Sequence, residues 1–510
     1  MLANVRSGAI VGLDAISINV EVDYNPRGMT SFTIVGLPDT AIQESRERVR
    51  SAIRNRNLDF PMKRYVVNLA PADIRKEGPA YDLPIAIGVL AATEQIPVDT
   101  LQDSMFIGEL SLDGTLRHVR GVLPLAYLAK EQGIAQLYVP ECDAPEAALI
   151  DGIKIIPVST LGHLVEHLFL LNIIPPFDRT ALAAEPEQQT ERLVDFRDIK
   201  GQEYVKRAME IVAAGAHHVF MSGPPGAGKT LIARALPGIL PSLTPQEALE
   251  ITRIYSVADM LPPGHVLVKR RPFRAPHHTI SHAGLIGGGS IPRPGEISMS
   301  HNGVIFLDEL GEYGSKLEVL RQPLEDKVVT ISRARGAVTF PAKFVLVAAT
   351  NPCPCGYYGD ALKACTCGEA AVRRYQQRIS GPIMDRFDIQ LDVQRVDHDK
   401  LTDTRHGDTS SMIQARVEAA RERQRHRYQN LVGISANSDL GPSEIETFCR
   451  TEESAETLLR AVMRKLNLSA RAYHRVLKVS RTIADLAASD IIRTEHVAEA
   501  VQYRARTLLS

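Results

Sequence analysis

Cysteine is scarce in this chain of 510 residues: there are six, too few for the disulfide scaffold of a small secreted domain. Long apolar runs are missing too. The longest, Leu83 to Ala92, covers about ten residues where a bilayer needs about 20. The opening residues Met1-Leu2-Ala3-Asn4-Val5-Arg6 hold no apolar stretch, so no signal peptide, no membrane partner and a cytoplasmic location are expected. Neither sign of charge is in excess, with 59 Lys+Arg against 60 Asp+Glu and a net charge of −1. A nucleic-acid binder more often shows as a basic domain. What is present, 44% hydrophobic and 23% charged residues, suits a globular protein with sizeable cores. The length suggests about three or four domains.

The expected fold class is α/β multidomain. Ala15 to Asp23 alternates apolar and polar residues, the mark of a half-buried strand. Phe32–Gly36 and Tyr65–Leu69 read as further strands, with helical periodicity after Pro38 through Ile42, Val49 and Ile53. These define a first domain, 1–172. Pro175 to Glu191 carries few large apolar residues, so 173–193 reads as a linker. Strands then alternate with helices over 194–395, which suggests a parallel sheet. Helical periods dominate 396–510.

The sharpest motif is Val219-Phe220-Met221-Ser222-Gly223-Pro224-Pro225-Gly226-Ala227-Gly228-Lys229-Thr230. It fits G-x-x-x-x-G-K-[ST] between a strand and a helix. Glycines let successive N–H groups face phosphates. Lys229 can reach the β and γ phosphates of ATP, and the Thr230 hydroxyl can hold Mg²⁺. A second element, Gly303-Val304-Ile305-Phe306-Leu307-Asp308-Glu309, reads as a buried strand ending in two carboxylates. Asp308 would bind the Mg²⁺ shell and Glu309 would polarise the attacking water. A third strand, Lys343 to Thr350, ends in Asn351, whose amide can orient that water.

With these three elements the chain resembles an AAA+ ATPase, Asn351 standing at sensor 1 and Ile199-Lys200-Gly201-Gln202 matching the segment before the P-loop. Within that superfamily it is similar to the magnesium-chelatase and MCM-like branch. Phe273-Arg274-Ala275-Pro276-His277-His278 through Gly287-Gly288-Gly289 to Glu296 matches the helix-2 insert, and Val328 to Phe340, with Arg333 and Arg335 at its tip, matches the pre-sensor-1 hairpin. Pro382-Ile383-Met384-Asp385-Arg386-Phe387-Asp388 resembles the arginine-finger segment, so Arg386 would contact the γ-phosphate held by a neighbouring subunit; a surface salt bridge is the other reading. Leu468 to Arg475 resembles sensor 2, with Arg471 favoured over Arg475. A trans-acting arginine implies a ring.

Four cysteines sit together as Cys353-Pro354-Cys355-Gly356 and Cys365-Thr366-Cys367-Gly368. Four thiolates suit structural Zn²⁺; free thiols or a redox switch are the other readings. Cys142 and Cys449 stand apart and are expected to be packing residues.

Residues 1–172 resemble the protease domain of Lon, a fold related to a ribosomal S5 domain, through Lys76-Glu77-Gly78-Pro79-Ala80-Tyr81-Asp82 and Ile107-Gly108-Glu109-Leu110. Lon uses a Ser–Lys dyad. Here the serine position carries Ala80 and the lysine position falls on Leu123. Neither side chain can attack or take a proton, so peptidase activity is not expected.

An inactive Lon-like domain, a chelatase-like AAA+ core with the paired C-x-C motif and a helical lid together resemble the YifB/ComM family. That resemblance implies a bacterial, cytoplasmic, hexameric DNA helicase that drives branch migration during natural transformation. The implied partners are single-stranded and branched DNA, further copies of the chain, and recombination proteins. Arg333 and Arg335 are then candidate DNA contacts, with Arg293 near the insert tip; solvated turns are the other reading. The arginine-rich stretch Gln414 to Asn430 could touch DNA, form an exposed helical face or serve as an interdomain linker. A chelatase-type motor and a protein remodeller without peptidase activity are the alternatives.

Overall fold

The computed structural model describes residues 1–184, 194–261, 265–289, 292–333, 336–360, 362–396, 407–465 and 469–504. The chain divides into two compact units: Met1–Gln189 with Ala248–Val268 and Ser290–Pro294, and Thr190–Glu247 with Lys269–Gly289 and Gly295–Ser510.

The first unit is built on a seven-stranded mixed sheet. Its strands are β1 (Leu2–Val11), β2 (Asp14–Asn25), β3 (Ser31–Val35), β4 (Arg64–Ala70), β5 (Ser104–Phe106), β6 (Gln136–Pro140) and β7 (Lys154–Val158). They lie in the order β3-β4-β2-β1-β5-β6-β7. The strands expected from alternation are β2, β3 and β4. The long apolar run is the helix Asp82–Ala92, buried along its whole length and packed on β1 and β2; a helix apolar all round must be covered on every side. Asp39 caps the helix Thr40–Asn55, accepting from Ile42 N at 2.8 Å and, through its other oxygen, from Gly78 N at 3.0 Å.

Two expectations change here. Residues 173–184, read as the start of a linker, are docked on this unit. Phe177 N donates to Ile155 O at 2.8 Å, Arg179 donates to Ile153 O at 3.1 Å, and Phe177 and Leu182 pack on the apolar core. Those few apolar contacts outweigh the polar composition. Residues 185–193 lie outside the described residues. Ala248–Val268 was expected within the ATPase core but groups with the first unit. Ser256 donates to the buried Glu146 at 2.5 Å, and Arg253 donates to Leu13 O at 2.8 Å.

His118 in this unit bonds Asp143 and lies 3.1 Å from Asp259. The Asp143 hydrogen bond raises it to about 9 from an ordinary 6.5, against desolvation and with help from both carboxylate charges. Protonated His118 therefore stabilises the unit. The contribution is present below about pH 6.5 and is lost as pH rises through about 9. The gap in melting temperature between wild type and His118→Gln is expected to be widest near pH 6 and to close by about pH 10. A gap independent of pH would contradict this. Cys142, expected in packing, is exposed, whereas Cys449 is buried.

The second unit has a five-stranded sheet, parallel throughout. Its strands are β8 (Val219–Ser222), β9 (Phe273–Arg274), β10 (Val304–Leu307), β13 (Val345–Thr350) and β14 (Ile389–Asp392), in the order β9-β10-β13-β8-β14. Between β10 and β13 in sequence, β11 (Val328–Arg333) and β12 (Gly336–Pro341) form an antiparallel hairpin. Its tip residues Ala334 and Arg335, and the side chain of Arg333, lie outside what the structure describes. The region 396–510 supplies five described helices, Ser410–Tyr428, Pro442–Phe448, Glu453–Lys465, Ala470–Leu486 and Thr494–Gln502. They share one apolar core with the sheet, through residues such as Val212, Val417, Val476 and Ile483, so lid and ATPase core form one compact unit. Among the described residues no helix is long and apolar enough to cross a membrane.

The arginines of Ser410–Tyr428 are mostly engaged inside this unit. Arg416 meets Glu210 at 2.5 Å, Arg425 meets Glu422 at 2.6 Å, and Arg427 donates to Asp485 at 3.0 Å. These contacts favour a packed helical face over a nucleic-acid surface.

Candidate active site

Strand order brings the candidate residues together. β13 lies between β8 and β10, so the P-loop, Asn351 and the Asp308–Glu309 pair all leave the sheet at its C-terminal edge, where parallel α/β sheets bind ligands. The P-loop turns into the helix Lys229–Ala235 through Gly228, whose φ of 87° is left-handed and favours glycine. The Lys229 ammonium is buried and donates to Gly223 O at 2.5 Å, Pro224 O at 3.0 Å and Asn351 Oδ1 at 3.2 Å. Burial pulls its pKa below the ordinary value, and the charge of Asp308 opposes the shift. Thr230 Oγ1 donates to Asp308 Oδ2 at 3.0 Å. A hydroxyl and a carboxylate converging in this way are hard oxygen donors that could hold Mg²⁺.

Glu309 has a left-handed backbone, φ 51°. Its N–H donates to Asp308 Oδ1 at 2.9 Å, and its Oε2 lies 3.2 Å from His278 Nδ1. The sequence does not mark His278 as a partner of Glu309: it stands in the insert, 31 positions upstream, with no spacing that links the two. A cleft of about 890 Å³ extends from Gly223 and Pro224 past Ile199, Lys200, Gly201 and Gln202. Gln202 ties its sides together, donating to Ala227 O at 3.4 Å and Gln394 O at 2.5 Å.

Arg386 and Arg471 do not join this group within one chain. Arg386 is paired with Glu325, its side chain 12% exposed. Arg471, at the start of Ala470–Leu486, is exposed. Arg475, one turn on, lies 3.7 Å from Asp388, which also meets His217 Nδ1 at 3.1 Å. Asp388 is held below the usual carboxylate range against its burial, by the His217 hydrogen bond and by the charges of His217 and Arg475. Arg475 is thus the one of the two arginines that meets Asp388; the sequence does not separate them, because they lie one turn apart on the same helical face. Arg293 lines a cleft of about 400 Å³ in the first unit, with Ala80, His118 and Arg120. Leu123 is buried, and its N–H donates to Glu146 at 2.9 Å.

The paired C-x-C motif folds into one cluster. Sγ separations are 3.3 Å for Cys353–Cys355, 3.6 Å for Cys353–Cys365 and 3.5 Å for Cys355–Cys365, and all four sulfurs, Cys367 included, lie within 4.8 Å of one another. A tetrahedron with Zn–S bonds of 2.3 Å needs about 3.8 Å between sulfurs, so the cluster fits that ion. Tyr358 N donates to Cys353 Sγ at 3.3 Å and Cys367 N to Cys365 Sγ at 3.4 Å. The N–H groups of Tyr357 and Thr366 hold the Cys355 thiol down at about 5.

The family profile described as magnesium chelatase, subunit ChlI, matches residues 195–401, with related ChlI profiles on 20–143 and on 407–504. The chain is 42% identical to "Competence protein ComM" of Haemophilus influenzae, over 100% of this chain and 98% of that one. The chain belongs to the YifB/ComM family. It is likewise 42% identical to "Uncharacterized protein YifB" of Escherichia coli, over 99% of this chain and 97% of the relative. A Lon protease of Mycoplasmopsis agalactiae is 24% identical over 181 residues, 33% of this chain and 18% of that protein. As a member of the YifB/ComM family the chain joins a Lon-related N-terminal region to a magnesium-chelatase-like AAA+ region and a helical C-terminal region.

Proposed function

We propose that this chain is an ATP-hydrolysing DNA motor that acts as a hexameric ring in the cytoplasm and drives branch migration during natural transformation. The observation that carries the reading is the end-to-end similarity to a relative named for competence, joined to a P-loop, acid pair and sensor amide at one sheet edge. In this reading Gly223 to Thr230 cradle the nucleotide, Lys229 holds its β and γ phosphates, and Thr230 with Asp308 holds Mg²⁺. Glu309 takes the proton of the attacking water while Asn351 orients it. When bound, ATP and Mg²⁺ supply a labile phosphoanhydride and neutralise its charge. Arg386 completes the site of the neighbouring subunit, and Arg471 stands at the sensor-2 position. Cys353, Cys355, Cys365 and Cys367 hold a structural zinc ion.

The test is ATPase stimulation of the purified protein, with Glu309→Gln as control, by single-stranded DNA and by unfolded protein, together with movement of a branched DNA junction. Stimulation by DNA and junction movement are expected. Their absence would sink the reading. A second reading, metal insertion into a porphyrin, draws on the chelatase family profiles; the same assay with porphyrin as stimulant separates the two.

Arg333 and Arg335 supply the DNA contacts in the first reading, near the turn between β11 and β12. Arg333→Ala/Arg335→Ala is expected to weaken DNA binding about tenfold or more at moderate salt and to flatten its salt dependence, with basal ATPase intact. Unchanged DNA affinity in a titration would remove these contacts.

A further inference from the structure

The cysteine cluster and the nucleotide cleft are neighbours. Tyr358, Asp360 and Leu362 line the cleft together with Ile199–Gln202, and they come from the loop that the four cysteines close. Few apolar contacts order that loop. Cys353 is fully buried, but Tyr358 is 52% and Leu362 73% exposed, so the loop has almost no apolar core of its own. A segment with few buried apolar contacts takes its order from other restraints. Here the restraint is sulfur: Cys353 Sγ accepts the N–H of Tyr358, the residue that faces the cleft.

The loop also touches the phosphate-binding turn. Gly356 has φ 87°, and a Cβ there would lie 2.6 Å from Pro225 Cδ, so the first C-x-C-G turn rests directly on the P-loop. Arg395 fastens the same contact from the other side. It donates to Pro225 O at 3.4 Å, lies 3.4 Å from Asp360 Oδ2, and places its guanidinium 5.3 Å from the Tyr357 ring. Asp360 Oδ1 in turn accepts from Leu362 N at 2.7 Å. Sulfur cluster, cleft wall and P-loop are therefore one connected piece.

We propose that zinc bound by Cys353, Cys355, Cys365 and Cys367 sets the affinity of the adjacent nucleotide site, the metal-closed loop presenting Tyr358 to the end of the nucleotide remote from Lys229. This rests on reading the P-loop cleft as the ATP site. Removing the metal leaves four thiols that repel when ionised and hold no fixed geometry. The wall carrying Tyr358, Asp360 and Leu362 then loses its sulfur anchor and keeps the Arg395–Asp360 ion pair, and the turn packed against Pro225 loosens. Phosphate contacts from Lys229 and Thr230 survive, so binding weakens and is not abolished.

The test uses the full chain. Zinc content is measured by atomic emission, and binding of a fluorescent ATP analogue is titrated before chelation, after chelation and after zinc is returned. One zinc per chain is expected, with a loss of nucleotide affinity of about tenfold on stripping and recovery on re-addition. Tyr358→Ala is expected to keep its zinc and to bind the analogue about fivefold or more weakly. That variant decides the matter if stripped protein unfolds, as circular dichroism would reveal. The proposal is overturned if untreated protein neither holds nor takes up zinc. It is also overturned if stripped, folded protein binds nucleotide as well as before, or if Tyr358→Ala binds like wild type. Failure of every form, zinc-loaded wild type included, to bind the analogue would instead overturn the ATP reading on which the proposal rests.

Discussion

Glu309→Gln is expected to lower ATP turnover by about 10²–10⁴-fold, the range a positioned general base supplies, with nucleotide affinity nearly unchanged. The substitution keeps shape and length and removes only the ability to take a proton. Asp308 keeps its hydrogen bond from the residue-309 N–H, which belongs to the backbone, and Thr230 still meets Asp308. The Mg²⁺ and phosphate groups of the site are therefore undisturbed. A glutamine can still hydrogen-bond His278, so the side chain stays where Glu309 lies, 3.2 Å from that ring. Steady-state turnover and equilibrium nucleotide binding, measured side by side, separate loss of chemistry from loss of binding. Turnover within about threefold of wild type would remove Glu309 from the base role.

Arg386→Ala is expected to lower turnover by about 10³-fold or more, the scale of arginine fingers, through a different route. Among the described residues the polar partners of Arg386 are Glu325 and Pro382 O, so it serves no group at its own P-loop. Glu325 is 54% exposed. An ion pair with so exposed a partner is worth at most about 1 kcal/mol, and a phosphate oxyanion from another subunit can displace it. The signature is complementation. Arg386→Ala and Lys229→Ala proteins, each nearly inactive, are expected to regain activity when mixed, because some interfaces then pair an intact P-loop with an intact arginine. A mixture as inactive as its parts would show that Arg386 acts only within its own chain.

Much of this site could be read before any coordinates. Lys229 and Thr230 are legible because phosphate cradling needs glycines at fixed offsets, and Asp308 and Glu309 because a buried parallel strand is a continuous apolar run. Asn351 follows from the same pattern in β13. His278 was not legible. It reaches Glu309 from 31 positions upstream, because β9 and β10 pair in parallel and bring the insert over the acidic strand. Tyr358 was hidden likewise: one tyrosine in an irregular loop, it lines the cleft because that loop lies against Pro225.

The chain's own sequence thus determined the family and the P-loop motif, which depend on residue type at fixed spacing, and set Ala80 and Leu123 where the Lon resemblance expects serine and lysine. The tertiary structure decided what depends on long-range juxtaposition. It set Glu309 beside His278, tied Arg475 to the finger segment through Asp388, and docked 173–184 on the first unit. It also made residues of the cysteine loop line the cleft beside Gly223 and Pro224. Net charge near zero belongs with these: composition averages over the whole surface, whereas binding is decided by which few charges the fold brings to one place.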